Sequence, residues 1–455
     1  MTNHAPAPPP LDVPIGSEDD LLAYMRSGEK PPERWLVGTE HEKIGLYAAE
    51  RTPIPYDGER GIGAVLDRIA RQDGWERIFE GENVIALAKD GASITLEPGG
   101  QLELSGAPLR TIHETCDEFH THLALMKDVS DPLGIVWLGL GIHPLHTVDQ
   151  LPSMPKDRYR IMREYLPTRG SMPLVMMFAT ATVQANFDFE SEADMVEKMR
   201  VATSASPVVS AIFANSSVSE GAANGFVSRR LEAWHHTDPD RTGLLSMVFE
   251  PDFGFRRYID WALGVPMFFI VRDGEYRPAG GRTFREFLTG GHGELRPTLA
   301  DFDRHLTTLF PDVRLKRFIE VRGADAVPPG LTCSLPALWK GIFYEAGARR
   351  AAWELVSGAS PDALDAARSD VARRGLSADF DGRPVLEVAR DLLEIAREGL
   401  QRIAHAGSKD PDESRYLDPI AEQLALGASP GEVILRHWEA DWKRSADRLI
   451  EYARY

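Results

Sequence analysis

The sequence lacks the features that identify several large classes of protein. Only 2 of its 455 residues are cysteine, which excludes a small fold held together by disulfides. The 51 Lys and Arg are outnumbered by 69 Asp and Glu, and a chain with a formal net charge of −18 repels nucleic acid unless it carries a local basic patch. No run approaches the ~18 consecutive apolar residues of a membrane span. Neither nucleic acid nor a membrane is therefore an expected partner.

Loops that cradle nucleotide phosphates on glycine are also missing. There is no GxxxxGK[ST] motif, and the segment GIVWLGLG at residues 134–141 has the wrong spacing for GxGxxG. A nucleotide, if bound, would have to be held through metal ions on carboxylates. The first 14 residues, MTNHAPAPPPLDVP, are rich in proline and lack the apolar core of a secretory signal. We expect residues 1–14 to form a disordered tail and the protein to be cytoplasmic.

The remaining composition is that of a globular enzyme, with 43% hydrophobic and 26% charged residues. Strand-like runs alternate with helices up to about Leu335, and nearly everything beyond it has the pattern of helices. We therefore predict an α+β fold with a mostly antiparallel sheet, a single domain over residues 15–455, and a helical layer at residues 335–455. The candidate strands are residues 36–47, 93–97, 101–105, 134–143, 175–188, 265–272 and 313–322.

Two pairs of carboxylates are placed on single strand faces by the two-residue repeat of a strand. Glu40 and Glu42 lie about 6.6 Å apart along one strand. Glu97 and Glu103 share a parity across the turn of a predicted hairpin, opposite a leucine face. Carboxylates this close can ligate neighbouring divalent cations, and without cations they would repel one another. For either pair alone, a solvent-facing acidic edge is the alternative.

A third strand has one face that is polar but mostly uncharged. Thr180, Thr182, Gln184, Asn186 and Asp188 alternate with apolar residues. A solvated strand face usually carries Lys, Glu or Arg, whereas amides and hydroxyls suit the wall of an enclosed polar site. An ordinary exposed face is the alternative.

The fourth strand-like segment combines an acid with bases. Lys316, Glu320 and Arg322 share a parity, with Ile319 and Val321 opposite. A Glu can hold a cation while an Arg neutralises phosphoryl oxygens, although a cross-strand salt bridge has the same pattern. Taken together, the four segments suit phosphoryl transfer assisted by Mg²⁺.

Longer motifs covering these segments resemble the plant-type glutamate–cysteine ligases, a family that includes many proteobacterial members. They run in family order over about residues 35–450 and include VGTEHEKIGL, ITLEPGGQLELSGAPL, MMFATATVQANFDFESEADM and LTTLFPDVRLKRFIEVRGAD. The resemblance implies a curved antiparallel sheet forming a funnel, similar to the catalytic core of glutamine synthetase, with helices packed outside. It also implies ATP-dependent joining of the γ-carboxylate of L-glutamate to the amino group of L-cysteine through γ-glutamyl phosphate, the first step of glutathione biosynthesis.

The resemblance also implies roles for single residues. Roughly two or three Mg²⁺ ions would be held by the acids of the strands, with ATP as co-substrate. The implied metal ligands are Glu40, Glu42, Glu97, Glu103 and Glu320.

Cations and polar residues complete the implied site. Arg158 and Arg230 match the residues that grip the glutamate carboxylate, and Arg322 would face the ATP phosphates with Lys316 as a weaker candidate. Gln184 would face metal or phosphate. The implied substrate site also includes Thr180, Asn186 and Phe268, the last standing where plant members carry a Tyr beside the cysteine pocket.

The sequence leaves several alternatives open. Cys116 and Cys333 match a pair that can form a disulfide in plant members, but two free thiols are the alternative. The 13 histidines, among them His143, His235 and His236, show no ligand-spaced cluster, so a transition-metal site is not expected. A related ligase that joins glutamate to a different amine is the alternative function, and both monomer and homodimer remain possible.

Overall fold

The computed structural model of the chain describes residues 11–405 and 412–455. Its strands are β1 Val37–Tyr47, β2 Glu76–Glu80, β3 Asn83–Lys89, β4 Ala92–Leu96, β5 Leu102–Ser105, β6 Ile135–Leu138, β7 Val183–Phe187, β8 Val218–Ser219, β9 Ala222–Ala223, β10 Thr242–Gly243, β11 Phe269–Arg272, β12 Glu275–Pro278, β13 Phe310–Pro311, β14 Val313–Leu315, β15 Ile319–Val321, β16 Asp379–Phe380 and β17 Arg383–Pro384.

The α-helices are distributed along the whole chain and dominate its last third. They are α1 Glu18–Arg26, α2 Ile62–Asp73, α3 Ile112–Ser130, α4 Asp157–Tyr165, α5 Pro173–Ala179, α6 Glu192–Ile212, α7 Arg229–His235, α8 Phe255–Gly264, α9 Phe284–Gly290, α10 Leu299–Leu306, α11 Pro329–Thr332, α12 Ser334–Phe343, α13 Ala346–Val356, α14 Pro361–Arg374, α15 Val385–His405, α16 Asp418–Leu426, α17 Pro430–Trp438 and α18 Ala446–Ala453.

A nine-stranded sheet forms the centre of the molecule. Its order is β14-β15-β7-β1-β5-β4-β3-β2, and β6 pairs with the last residues of β1. Every pairing in this sheet is antiparallel. The predicted α+β class with a large antiparallel sheet is confirmed.

The sheet is apolar on one side and polar on the other, because side chains alternate along each strand. On β7, Val183, Ala185 and Phe187 are buried in the main hydrophobic core, together with residues of α6, α12 and α15. Gln184 and Asn186 point to the opposite side. Helix α12 packs against both β7 and β1 and so supports the two central strands from behind.

Two predicted strands have a different structure. The segment predicted at residues 175–188 begins as α5, because Pro173 favours the first turn of a helix, and only its second half is β7. The segment at residues 313–322 is a hairpin of β14 and β15. Its turn is closed by a 2.8 Å hydrogen bond from the Lys316 N–H to the Phe318 carbonyl, so Lys316 lies in a turn and not on a strand with Glu320.

The N-terminal prediction needs a corrected boundary. Residues 1–10 of the predicted tail lie outside the described residues. Residues 11–14, however, pair with the start of α10, where the Leu299 N–H donates to the Val13 carbonyl at 3.0 Å and the Ala300 N–H donates to the Leu11 carbonyl at 2.7 Å. The first N–H groups of a helix have no partner within the helix, and these carbonyls satisfy two of them.

Among residues 11–405 and 412–455, no helix combines the length and the apolar character needed to cross a bilayer.

Candidate active site

Strand pairing brings the predicted acids of β1, β5 and β15 onto one face of the sheet. Glu42 lies opposite Glu103, and Glu40 lies opposite Gln184 on the other side of β1. Glu320 lies opposite Asn186. Directly paired residues of antiparallel strands point to the same side, so these side chains share one surface. We call it the carboxylate face; its acids are Glu40, Glu42, Glu97, Glu103 and Glu320.

Glu97 reaches this face from the turn between β4 and β5. Its N–H donates to the Gln101 carbonyl at 2.9 Å, and its carbonyl accepts from the Gly100 N–H at 3.0 Å. The Gln101 amide donates to the Thr180 carbonyl at 2.7 Å, and its oxygen accepts from the Gly99 N–H at 2.9 Å. One buried side chain therefore ties the acidic hairpin to the segment that leads into β7.

The predicted polar wall flanks the acids, and two of its oxygens have no protein partner. The Thr182 N–H donates to Glu42 Oε2 at 3.0 Å, and Asn186 Nδ2 donates to Glu40 Oε1 at 3.1 Å. Gln184 Oε1 and Asn186 Oδ1 are buried without a hydrogen-bond partner. Buried polar atoms are seldom left unpaired, so these two oxygens mark a place where a ligand would be bound.

Three arginines lie beside the acids. A pocket in front of the sheet is lined by Arg158, Arg230 and Arg322 together with Glu42 and Glu97. Arg230 donates to the Arg322 carbonyl at 3.1 Å, while Nε of Arg230 and Nε of Arg158 have no partner. The pocket thus offers free guanidinium donors close to carboxylates. Its lining also includes Gln101, Tyr159, Thr180, Thr182, Gln184, Trp234 and Phe310.

Glu320 differs from the other acids because cations surround it. Arg314 donates to it from Nε at 2.9 Å and from Nη2 at 2.7 Å, Arg322 also binds it, and Lys316 lies 3.7 Å away. Burial would raise the pKa of Glu320, but Arg314, Arg322 and Lys316 hold it well below its usual range. Glu320 is therefore ionised even when no metal is bound.

The other four acids have raised pKa values. Burial, followed by repulsion from Glu320 and Glu103, raises the pKa of Glu40 to about 7. Burial and then the charge of Glu97 raise the pKa of Glu103 to about 7. Burial also raises the pKa of Glu42 and Glu97. Without cations these carboxylates destabilise one another, and a bound cation would remove that cost.

Several residues of the site carry no strong sequence signal. Asp325 is buried and accepts hydrogen bonds from the Asn215 N–H at 2.7 Å, from Ser216 Oγ at 2.6 Å and from Ser228 Oγ at 2.9 Å. Ser216 Oγ also accepts from the Arg230 N–H at 3.0 Å, so this network fixes the start of α7 and with it Arg230. The segment GADA after β15 could have pointed to Asp325, because an acid between small residues has no obvious solvent-facing role.

Arg314, Lys156 and Tyr159 also went unrecognised in the sequence. Arg314 pairs with Glu320 across a hairpin that the single-strand prediction did not contain. Lys156 Nζ donates to the Leu96 carbonyl at 2.8 Å, and the Tyr159 hydroxyl lies 3.5 Å from Glu97 Oε1. Both are in the segment MPKDRY, in which only Arg158 had been singled out.

Phe268 does not reach the pocket. It is buried behind Phe310, which does line the pocket, with 6.4 Å between the ring centroids, and the Arg241 guanidinium lies 3.9 Å from its ring. Phe268 is thus next to a ring that lines the pocket but is not part of the lining, and its substrate contact stays a prediction.

Cys116 and Cys333 lie on the other side of the sheet. Both are free thiols and buried. A hydrogen bond from Cys333, followed by the neighbouring His120, lowers the pKa of Cys116 to about 7. Cys116 is on α3, which packs behind β1, with the Phe119 ring 4.8 Å from the ring of His41. The pair is therefore close enough to react but separate from the carboxylate face.

Comparison with known proteins gives consistent matches along the chain. The model of glutamate-cysteine ligase family 2 matches residues 36–451. The chloroplastic glutamate–cysteine ligases of Brassica juncea and Solanum lycopersicum are each 42% identical to this chain, over 99% and 100% of it and 87% of their own lengths. These relatives match the chain over nearly its whole length.

Two solved structures share the fold. A glutamate–cysteine ligase from Francisella tularensis in complex with AMP has a TM-score of 0.54 and 11% identity, covering 92% of this chain and 87% of that one. A bifunctional glutathione synthetase from Pasteurella multocida has a TM-score of 0.53 and 13% identity, covering 96% of this chain and 53% of that one. At such identities the likeness concerns the fold alone.

The comparison contradicts one prediction. The plant relatives compared with this chain are named chloroplastic, so the expected cytoplasmic location is wrong. The prediction rested on the lack of a secretory signal, and that lack does not distinguish between compartments, because other targeting segments have other compositions and are removed from the mature protein.

Proposed function

Because the chain belongs to glutamate-cysteine ligase family 2, we propose that it joins the γ-carboxylate of L-glutamate to the amino group of L-cysteine at the expense of ATP. The products are γ-glutamylcysteine, ADP and phosphate, and the reaction is the first step of glutathione biosynthesis. The observation that carries this proposal is one sheet face where five carboxylates meet Arg158, Arg230 and Arg322.

The reaction proceeds in two displacements. The γ-carboxylate of glutamate attacks the γ-phosphorus of ATP, the bond to the β-phosphate oxygen breaks, and ADP leaves. The amino group of cysteine then attacks the acyl carbon of γ-glutamyl phosphate, loses a proton and expels phosphate. Neither displacement needs a protein nucleophile, so the protein contributes by positioning its substrates and by balancing charge.

Divalent cations fit the carboxylate face. Carboxylate and amide oxygens are the ligands that Mg²⁺ prefers, and the face provides several of both, including the unpartnered Gln184 Oε1. We assign Glu40, Glu42, Glu97, Glu103 and Glu320 to holding Mg²⁺. Bound Mg²⁺ would neutralise phosphate charge.

The arginines have separate tasks. Arg158 and Arg230 have free guanidinium donors in the pocket and bind the carboxylate of glutamate. Arg322 pairs with Glu320 and also lines the pocket, so we assign it to the ATP phosphates; Lys316, 3.7 Å from Glu320, is the weaker candidate. Thr180 lines the pocket and Asn186 donates to Glu40, and we assign both to the substrate site. Each of these roles is supported by position on the carboxylate face.

A coupled assay tests the proposal directly. The purified chain is incubated with ATP, Mg²⁺, L-glutamate and one amine at a time, and ADP, phosphate and product mass are measured. We expect cysteine-dependent ADP release and a product with the mass of γ-glutamylcysteine. ADP release that depends on no amine would contradict the proposal, and a marked preference for alanine or 2-aminobutyrate would favour the alternative ligase for a different amine.

The cysteine pair is proposed as a redox pair. Cys116 and Cys333 are buried thiols joined by a hydrogen bond. Two thiols this close can be converted to a disulfide by an oxidant. Peptide mass mapping without reductant, before and after treatment with oxidised glutathione, should reveal a linked Cys116–Cys333 peptide. Unlinked thiols after that treatment would exclude the pair.

A further inference from the structure

A cluster of metal-ligating side chains lies behind the sheet, apart from the carboxylate face. Cys116, His120 and Cys333 each direct a ligand atom to a common point, and these atoms all lie within 4.8 Å of one another. Cys116 and His120 are one turn apart on α3, and Cys333 ends α11 where α12 begins. The family resemblance paired the two cysteines, but no local sequence pattern predicted that His120 joins them.

We propose that Cys116, His120 and Cys333 form a binding site for a thiophilic metal ion of the Zn²⁺ class, separate from the proposed ligase reaction. Two sulfurs and an imidazole nitrogen are soft to borderline ligands, which bind Zn²⁺ and Co²⁺ well and Mg²⁺ poorly. The oxygen ligands of the carboxylate face instead suit Mg²⁺. The carboxylate face and the cysteine–histidine cluster should therefore select different ions.

The surroundings of the cluster suit a three-ligand site with one open position. Both cysteines are buried, whereas His120 is exposed, so solvent can supply a fourth ligand. His120 Nδ1 lies 2.8 Å from the Cys116 carbonyl and 3.5 Å from Cys116 Sγ, which holds the ring beside the sulfur.

A bound ion would connect two elements that support the sheet. Helix α3 packs against β1, and α12 packs against β1 and β7. Metal binding at their junction would tie both helices together and stabilise the folded chain by mass action. The same junction contains Phe119, whose ring lies 6.1 Å from that of Tyr455.

Cobalt binding to the reduced, metal-free full chain tests the site. Thiolate–Co²⁺ bonds give a charge-transfer band in the near ultraviolet that carboxylate-bound Co²⁺ lacks. Because the chain has only two cysteines, the band reports this site alone. We expect one Co²⁺ per chain with this band, displaced by Zn²⁺ and not by Mg²⁺. No band, or displacement by Mg²⁺ at equal concentration, would overturn the proposal.

Variants assign the ligands. Cys116→Ser and Cys333→Ser should weaken or abolish the band, and His120→Ala should weaken Co²⁺ binding by more than about tenfold. His437→Ala is the matched control, because His437 is a partly exposed helical histidine that also has a partner four residues away. Equal loss in His120→Ala and His437→Ala, or no loss in either, would exclude His120 as a ligand and with it the three-ligand site.

A measurement on the unaltered chain covers the case in which a serine variant does not fold. Zn²⁺ should protect both Cys116 and Cys333 from alkylation in the folded, reduced protein, and a chelator should restore their reaction. Unchanged alkylation of either cysteine in the presence of Zn²⁺ would contradict the proposal. Mg²⁺ with ATP is the negative control and should leave the alkylation of both cysteines unchanged. Because alkylation is measured without turnover, its result does not depend on the outcome of the ligase assay.

Discussion

Arg230 is held from two sides in the pocket. Its backbone N–H binds Ser216, its guanidinium binds the Arg322 carbonyl, and its Nε has no partner. A buried cation with a free donor has lost much of its hydration, so an anionic ligand that restores a partner binds strongly. Glutamate has the matching carboxylates.

Replacement of Arg230 by alanine should therefore act mainly on glutamate. We expect Arg230→Ala to raise the KM for glutamate by about 10- to 100-fold, because one charge-assisted hydrogen bond is lost. The KM for ATP should change much less. Arg229→Ala is the matched control, since Arg229 stacks on the Phe226 ring instead. A larger rise in the KM for ATP than in the KM for glutamate would indicate that Arg230 binds the nucleotide instead.

Removal of one carboxylate charge tests the metal assignment. Glu42→Gln keeps the shape of the side chain and its oxygen for the Thr182 N–H, but weakens a Mg²⁺ ligand. We expect ATP-dependent amide formation to fall by more than about 100-fold while the circular dichroism spectrum is unchanged. Near-normal turnover of Glu42→Gln and of Glu103→Gln would count against the metal role.

The raised pKa of Glu103 gives a pH-dependent effect on stability. Its pKa is raised from its usual 4.5 to about 7, so the folded, metal-free protein binds the proton more tightly than the unfolded chain, and stability is lost as the pH rises through about 7. Glu103→Gln cannot ionise. It should raise the free energy of unfolding by up to about 3 kcal/mol near about pH 8 and have little effect near about pH 5.

Denaturant unfolding of metal-free protein at both pH values measures this effect. The comparison with wild type cancels the contribution of buried histidines, which titrate in both proteins. Glu422→Gln, at an exposed position of α16, is the control and should change neither value. Equal effects of Glu103→Gln at both pH values would show that burial and the charge of Glu97 do not raise the pKa of Glu103.

At the scale of elements, the tight turn between β4 and β5 decides where two acids stand. Gly99 lies so close to α5 that a Cβ atom there would overlap the carbonyl oxygen of Phe178. Gly100 has a φ of +86°, which favours glycine. The PGG turn thus allows the hairpin to pack on the end of α5, with Glu97 and Glu103 on the same face.

Alanine at position 99 should displace this hairpin. Because backbone cannot move aside as a flexible side chain does, Gly99→Ala should lower the free energy of unfolding by about 1–3 kcal/mol and reduce ligase activity. Gly264→Ala is the control, since its Cβ would meet nothing within 4 Å and its backbone is not left-handed. Loss of activity in Gly264→Ala alone, or in neither variant, would contradict the role of the turn.

At the scale of the whole molecule, the carboxylate face is a region of concentrated negative charge that the fold must tolerate. The cations around Glu320 balance one acid, but burial raises the pKa of Glu40, Glu42, Glu97 and Glu103. The rest of the chain stabilises a face that is unfavourable without bound cations, and ligand binding should therefore be visible in global stability.

Addition of Mg²⁺ should stabilise the whole protein in a pH-dependent way. At about 100 times the dissociation constant, binding adds about 2.7 kcal/mol to the free energy of unfolding. We expect a larger rise in the unfolding temperature near about pH 8 than near about pH 5, because at low pH Mg²⁺ must displace protons. NaCl at matched ionic strength is the control. An equal rise in the unfolding temperature with NaCl would show that charge screening alone causes the stabilisation.

The sequence by itself determined the α+β class and the acids Glu40, Glu42, Glu97, Glu103 and Glu320. Side-chain alternation is a local property, so parity along a strand can be read from the chain without its partners. The same local reasoning failed where a proline started a helix, as in α5, and where a strand turned back, as in β14 and β15.

Only the tertiary structure decided which residues meet. Arg314 pairs with Glu320, Asp325 joins Ser216 and Ser228, and His120 joins the two cysteines, and each of these contacts links segments through strand register or helix packing. Register and packing depend on the whole core, and no local pattern encodes them. For the same reason Phe268 lies behind Phe310 and not in the pocket.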